Sequence, residues 1–268
     1  MDGQFRRDLY RGTAGYYDRF RVPYPPDLIE NLAGRCGAGG QGRLLDLACG
    51  TGQLTFALHG RFAEVWAVDQ EPDMIGFARQ KAAAAGLGAI RFLACAAEDL
   101  AAPGESFDLV GIGNAFHRLR RETVAARVRQ WLRPGGFLAL VRGGDPWTGD
   151  AAWQQALAAV RDRWMTRTGA RGRIPPGYDR DREQRPDQVI LREAGFELAG
   201  SRQFGASWEW TPEALIGFAY STSVLSPAVL GGQAPEFEAD LRRELRACAP
   251  GGRLRQTITF GCELARRP

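Results

Sequence analysis

The run Leu44-Leu45-Asp46-Leu47-Ala48-Cys49-Gly50-Thr51-Gly52-Gln53-Leu54 joins an apolar stretch, an acid at its end, and small residues that turn into a helix-like segment. Small residues let a backbone approach a ligand closely, and a helix start offers N–H groups without partners inside the helix. A second apolar stretch ends in Val68-Asp69, and an acid at such a strand tip suits the hydroxyls of a ribose. Alone, Asp46 reads equally as a helix-capping acid and Asp69 as an acid on a solvated loop; it is their spacing that points to a ligand. A glycine-rich turn after a strand also admits nicotinamide and flavin cofactors. The glycines argue against those: GxGxxG needs a third, and here Gly50 and Gly52 are followed by Gln53, Leu54 and Thr55. Asp46 would moreover repel a pyrophosphate, whereas it suits a ligand that carries positive charge. His117, one of two histidines, lies in Gly113-Asn114-Ala115-Phe116-His117-Arg118 at the end of another apolar run. With an ordinary pKa of about 6.5 it could take a proton from an amine or hydroxyl, or it could simply pin the loop. His59, at the end of a helix-like stretch, reads as a residue favoured there by the helix dipole.

These residues must be positioned by βαβ units. Residues 43–47, 64–68, 90–94, 107–112 and 137–141 read as strands, and residues 53–59, 73–85 and 122–132 between them as helices. The last helix is expected to stop at Arg133-Pro134-Gly135-Gly136, a turn-forming sequence. Further on, residues 150–167 read as a helix with Trp153, Leu157, Val160 and Trp164 on one face, and the Gly-, Pro- and Arg-rich residues 168–186 as a mobile loop. Residues 187–194, 211–220 and 235–248 complete the helices, and residues 196–210 and 256–264 the strands. Five tryptophans (Trp147, Trp153, Trp164, Trp208 and Trp210) follow the fifth strand, where they either line an apolar cleft or form the core of a cap.

In order and spacing, four motifs resemble those of Rossmann-like, class I S-adenosylmethionine-dependent methyltransferases. Leu45 to Gly52 is similar to the family's glycine motif, with Ala48 in place of the usual first glycine. Ala67-Val68-Asp69 with Asp73-Met74-Ile75 resembles the ribose-binding motif, Ala96-Ala97-Glu98-Asp99-Leu100 the adenine-contacting segment, and Leu132-Arg133-Pro134-Gly135-Gly136 the turn before the fifth strand. The resemblance implies an α/β fold, a seven-stranded, mostly parallel Rossmann-like sheet with an N-terminal lid and a cap inserted between strands 5 and 6. It implies S-adenosylmethionine as cofactor and S-adenosylhomocysteine as product. Asp46 and Gly50, with Ala48 and Gly52 in the turn, would hold the methionine amino end. Asp69, with Gln70 beside it, would hold the ribose, and Met74 and Ala97 would flank adenine. Ala96 departs from the acid that many relatives carry, so Glu98 or the Ala97 backbone would replace that contact. Asn114, at the end of the fourth strand, would face the methyl end, with His117 as the candidate base. The segment Ala14 to Pro25 resembles the lid of bacterial small-molecule methyltransferases, which gives Tyr17 the place over the sulfonium and Arg21 the methionine carboxylate. Independently, aromatic faces attract cations and a guanidinium pairs with carboxylate; the same residues would also suit an amphipathic helix packed on the sheet.

The expected division is residues 1–35 as lid, 36–145 as cofactor-binding core, 146–195 as inserted cap and mobile loop, and 196–268 as strands and helices completing sheet and cap. Composition bounds the partners. An apolar fraction of 44% and a charged fraction of 25% are those of a soluble globular protein, and no run is long enough to span a membrane. The start carries charge and no apolar signal core, so a cytoplasmic setting is expected. The cysteines Cys36, Cys49, Cys95, Cys248 and Cys262 are scattered without metal-ligand spacing, which favours reduced thiols and no metal. The net charge of +4 equals the excess of arginines over acids within residues 161–185. Those interleaved acids, and the absence of an Asn/Asp-Pro-Pro-Tyr or cysteine motif after the fourth strand, weigh against nucleic acid as substrate. The tyrosine-rich entry segment together with Thr211 to Ser226, where Ile216 to Ser223 falls in an expected cap helix, resembles actinobacterial antibiotic-tailoring enzymes. This resemblance implies a small-molecule acceptor: N-methylation of an amino sugar or aminoglycoside-like compound first, O-methylation of a polyketide, sugar or phenolic metabolite next. RNA methylation and non-catalytic binding of the cofactor follow. Oligomeric state is not legible.

Overall fold

Strands covered by helices on both faces show no polar side, so they read as near-continuous apolar runs. A computed structural model describes residues 8–36, 39–174, 183–249, 251 and 253–268. In it those runs become β1 (Arg43–Leu47), β2 (Glu64–Asp69), β3 (Ile90–Ala94), β4 (Phe107–Gly113) and β5 (Leu132–Gly143), followed by the long β6 (Glu197–Trp210) and β7 (Leu254–Arg266). They form one seven-stranded sheet in the order β3-β2-β1-β4-β5-β7-β6. β1 to β5 are parallel, and β7 runs antiparallel to both of its neighbours. The sheet reverses direction of growth between β1 and β4, the place where open α/β sheets bind ligands.

The N-terminal segment supplies α1 (Ala14–Phe20) and α2 (Pro26–Arg35), and the crossovers supply α3 (Gln53–Leu58), α4 (Pro72–Ala84) and α5 (Arg121–Trp131). Proline opens α2 and α4, where its missing N–H costs nothing. Between β5 and β6 lie α6 (Ala152–Arg167) and α7 (Asp187–Glu193). Between β6 and β7 lie α8 (Pro212–Tyr220), α9 (Pro227–Leu230) and α10 (Ala234–Cys248). Alternation along β1 sends Leu44 into a core with Leu28, Leu32 and Leu54 on one side of the sheet, and Leu45 and Leu47 into a second core with Val124, Val128 and Leu191 on the other.

The cap grows from both inserts. Trp153, Leu157, Val160 and Trp164 on α6 are buried in one cluster with Phe237, Leu241 and Leu245 on α10. Of the two readings of the tryptophans, the cap core therefore holds for Trp153, Trp164 and Trp210, while Trp147 and Trp208 are only partly buried at its margin. The Trp164 indole N–H donates to Asp240 Oδ2 at 2.8 Å, and Arg163 donates to the same oxygen at 2.7 Å, so the cap's buried acid is paired.

α5 stops at Trp131, as the Arg133-Pro134-Gly135-Gly136 sequence predicts, while β5 starts earlier than expected. Leu132 pairs with Phe107, and residues 133–136 bulge out of the ladder before Phe137 pairs with Leu109, with Gly135 at φ 81. Of the proposed loop 168–186, residues 175–182 lie outside the described residues, and residues Ala170–Arg173 form a 3-10 turn. Among the described residues no helix is long and apolar enough to cross a membrane, and no group of side chains could hold a metal ion.

Candidate functional site

After β1 the chain must turn sharply into α3, and three residues of the turn take the left-handed region: Ala48 (φ 55), Gly50 (φ 56) and Gly52 (φ 86). Glycine adopts it freely, whereas alanine there costs about 1–2 kcal/mol. A Cβ on Gly52 would lie 2.7 Å from the Phe56 ring, so this glycine is needed for space as well. The Cys49 N–H donates to the Val68 carbonyl at 3.0 Å, tying the turn to the end of β2.

The two acids of the motif have different surroundings. Asp69 Oδ2 accepts from the Gly50 N–H at 2.8 Å and its Oδ1 from the Glu71 N–H at 2.9 Å, so the carboxylate bridges both strand tips. Burial pushes its pKa up, and the backbone N–H groups oppose that rise. Asp46 lies beneath the turn and is 1% exposed. Its Oδ2 accepts from the Thr55 hydroxyl at 2.5 Å, while its Oδ1 is sealed from solvent without a partner. Burial is the main cause that pushes the Asp46 carboxyl up to about 7. Thr51 Oγ1, in the same turn, is likewise buried and unpartnered. Orphaned oxygens around a buried acid are what a cationic head group, able to donate several hydrogen bonds, would satisfy.

Above the turn is a cavity at the carboxyl ends of β1, β2 and β4. Ala48 and Gly50 form its floor, Asp69 and Gln70 come from the end of β2, and Met74 from α4. Ala97 reaches it from a short 3-10 turn, Asn114 from the residue beyond β4, and Tyr17 roofs it from α1. Asn114 sits at φ 52 and holds the last residue of β5, donating to the Gly143 carbonyl at 3.0 Å and accepting from its N–H at 2.9 Å.

The remaining candidates lie off this lining. Asp46 and Gly52 are buried and do not line the cavity. Glu98 turns aside, its Oε1 accepting from the Arg120 N–H at 2.9 Å at the start of α5. His117 occupies the 3-10 turn Phe116–Arg118 and is partly buried. Arg21 lies between two rings, 4.7 Å from the Tyr17 centroid and 4.5 Å from that of Phe218. Its Nε donates to Ser221 Oγ at 2.8 Å and its Nη2 to the Ser221 carbonyl at 3.1 Å.

Residues passed over in the sequence also line the cavity, among them Tyr10, Glu71, Cys95, Gly113 and Arg118. Glu71 is 2% exposed, and its Oε1 accepts from the Tyr10 N–H at 3.1 Å. Arg118 lies 5.3 Å from the Tyr10 centroid, with its Nε buried and unpartnered. Glu71 carried a signal, being an acid two residues after the strand-tip acid. Arg118 carried none beyond its place next to His117, because which side chain of a loop points inward depends on tertiary packing.

Fold and site together define an open α/β protein that binds a nucleoside-like ligand bearing positive charge. Residues 44–136 match the family model described as a methyltransferase domain. An uncharacterized methyltransferase of Mycobacterium tuberculosis is 32% identical over 228 residues, covering 83% of this chain and 82% of that one. A ubiquinone biosynthesis O-methyltransferase of Cereibacter sphaeroides is 30% identical over 179 residues, 63% of this chain and 67% of that one. Among solved structures, a proposed type II methyltransferase from Anaeromyxobacter dehalogenans shares the fold with a TM-score of 0.63 at 22% identity, covering 92% of this chain and 97% of that one. The chain belongs to the class I S-adenosylmethionine-dependent methyltransferases. S-adenosylmethionine is its cofactor, and the orphaned Asp46 and Thr51 oxygens fit the ammonium end of that molecule.

Proposed function

We propose that this enzyme methylates a small metabolite of the natural-product type, on an amine of an amino sugar or aminoglycoside-like compound. The donor half of the site rests on one observation, the buried Asp46 carboxyl with an unpartnered Oδ1. In our reading Asp46 and Gly50, with the Ala48 to Gly52 backbone, take the ammonium. Asp69 and Gln70 take the ribose, and Met74 and Ala97 flank the adenine. Tyr17 covers the sulfonium, Asn114 shapes the methyl end, and Arg21 meets the methionine carboxylate by exchanging its bonds to Ser221. Residues 1–35 act as lid, 36–145 as donor-binding core, 146–195 as cap, and 196–268 as the part that completes both. We place the reaction in the cytoplasm, in keeping with five free cysteines.

When bound, the donor supplies an activated methyl on a sulfonium. The protein has to align a nucleophile with it and keep water out, and such alignment can contribute about 7–11 kcal/mol. An amine is favoured because the cavity is lined by carboxylates and an arginine, with His117 off the lining. A neutral amine brings its own lone pair, whereas a hydroxyl gains from a base that removes its proton. O-methylation is the second reading, favoured by the likeness to the ubiquinone biosynthesis O-methyltransferase. Incubation with labelled S-adenosylmethionine and a panel of amino-sugar, polyketide and phenolic acceptors, with mass localisation of the methyl, tests both. Label on oxygen alone would overturn the amine reading, and a nucleic acid as sole acceptor would overturn both.

A further inference from the structure

Tyr24 belongs to the sequence Pro23-Tyr24-Pro25-Pro26. The proline rings fix φ on either side, and a residue followed by proline is kept out of the helical region, so the backbone holding Tyr24 has little freedom. The ring packs edge-on against Phe260 of β7, with centroids 5.6 Å apart at 65°. Its hydroxyl lies over the last residue of β4: a Cβ on Gly113 would collide with the phenolic oxygen and stand 3.2 Å from Cζ. Gly113 is part of the cavity wall.

The same face of the sheet carries the Asp46 carboxyl. Asp46 is opposite Gly111 in the ladder, and Gly111 and Gly113, two residues apart, share a face. At Gly111 the space of the missing side chain is filled by Leu54, and at Gly113 by the tyrosine oxygen. That oxygen has no hydrogen-bond partner among the described residues, so both its lone pairs are available. Burial raises the phenol's pKa well above its usual value, which keeps the hydroxyl neutral.

We propose that the Tyr24 hydroxyl oxygen faces the sulfonium methyl of the donor and holds the transferable carbon in line for attack. This rests on the donor reading of the site and is independent of the acceptor. The methyl hydrogens next to a sulfonium carry positive charge, so a neutral oxygen attracts them through C–H···O and charge–dipole contact. In the transfer, the S–C bond breaks with its electron pair left on sulfur. The nucleophile's lone pair forms the new bond to carbon, and the acceptor's proton leaves to solvent. Tyr24 neither gains nor loses a proton. The same oxygen distinguishes the charged donor from its neutral thioether product.

Calorimetric titration of wild type and Tyr24→Phe with S-adenosylmethionine and with S-adenosylhomocysteine tests this without any acceptor. The expected result is a loss of about fivefold in affinity for the donor, with product affinity kept within about twofold. Equal losses for both ligands would place the hydroxyl at a part they share, and unchanged affinity for both would remove it from the site; either result overturns the proposal. Gly113→Ala, which pushes the hydroxyl away from the wall, is expected to show the same selective loss and serves if Tyr24→Phe does not fold. Equal or absent losses there count against the proposal too. Failure of wild-type protein to bind the donor would instead refute the donor reading, and failure of every amine acceptor would leave the Tyr24 result standing.

Discussion

The Thr55 hydroxyl donates to Asp46 Oδ2 at 2.5 Å and leaves the carboxyl's other oxygen without a partner. One side of this acid is thus fixed by the protein, and the other has no hydrogen-bond partner among the described residues. With the folded pKa at about 7 and the unfolded one near 3.9, folded protein retains a proton that the unfolded chain gives up. Stability from this group is therefore full below about pH 4 and lost as pH rises to about 7. Donor-free Asp46→Asn should lose that slope and, at pH 8, melt above wild type. Its affinity for S-adenosylmethionine should fall by about ten- to a hundredfold. Melting curves at pH 5 and pH 8, with and without donor, check both.

Thr55→Val keeps the shape of the side chain and removes the hydroxyl that donates to Asp46 Oδ2, leaving the Thr55 backbone N–H in place. We expect a destabilisation of about 1–3 kcal/mol, the cost of a buried acceptor left unsatisfied, measured by urea unfolding. A change under a few tenths of a kcal/mol would mean that water reaches the carboxyl.

Ala48 occupies a left-handed conformation in which glycine is at ease. Ala48→Gly should stabilise the protein by up to about 1 kcal/mol. Gly52→Ala should cost more than about 1 kcal/mol, because its φ is 86 and the Phe56 ring would have to move. Opposite signs in one denaturation series are the expected outcome.

Arg21 joins the N-terminal segment to the cap through Ser221 and through the rings of Tyr17 and Phe218. Arg21→Lys preserves charge but loses the planar stacking and the pair of directed bonds. Donor affinity should fall by about tenfold, and amide exchange in α1 and α8 should quicken together. Quickening in α1 alone would show that the two elements open separately.

His117→Ala separates a base from a residue that pins its loop. We expect kcat to fall by less than about tenfold, short of the 10²–10⁴ range of general bases. A larger loss that vanishes at high pH would identify His117 as the base.

The β1 and β2 tips were legible because their chemistry is local: acid, turn and helix follow one another within a dozen residues, and apolar periodicity locates the strands. The same holds for α6, whose tryptophans repeat at helical spacing. Residues 133–136 were legible as the stop of α5; what no local pattern reports is that pairing with β4 starts ahead of them, at Leu132 opposite Phe107. The contact from Arg21 to Ser221 spans 200 positions, and the roof over the cavity is built from Tyr10, Tyr17 and Arg118, whose directions are set by what they pack against. Tyr24 could be counted as one of the early tyrosines, but its meeting with Gly113 needs the strand and the proline-bound segment in place together.

The N-terminal segment is held on both margins. On one side the Tyr10 and Gly12 N–H groups donate to Glu71 and Asp73, and Asp18 pairs with Lys81 of α4. On the other, Tyr16 packs edge-on against Tyr220 and Phe20 fills the space beside Gly217 of α8. With this segment as the proposed lid, closing over the donor would also complete the wall of the cap. The expected kinetic consequence is an order with the cofactor first in and its spent form last out. Turnover would then be paced by release of the lid, and accumulated product would inhibit competitively against the cofactor alone.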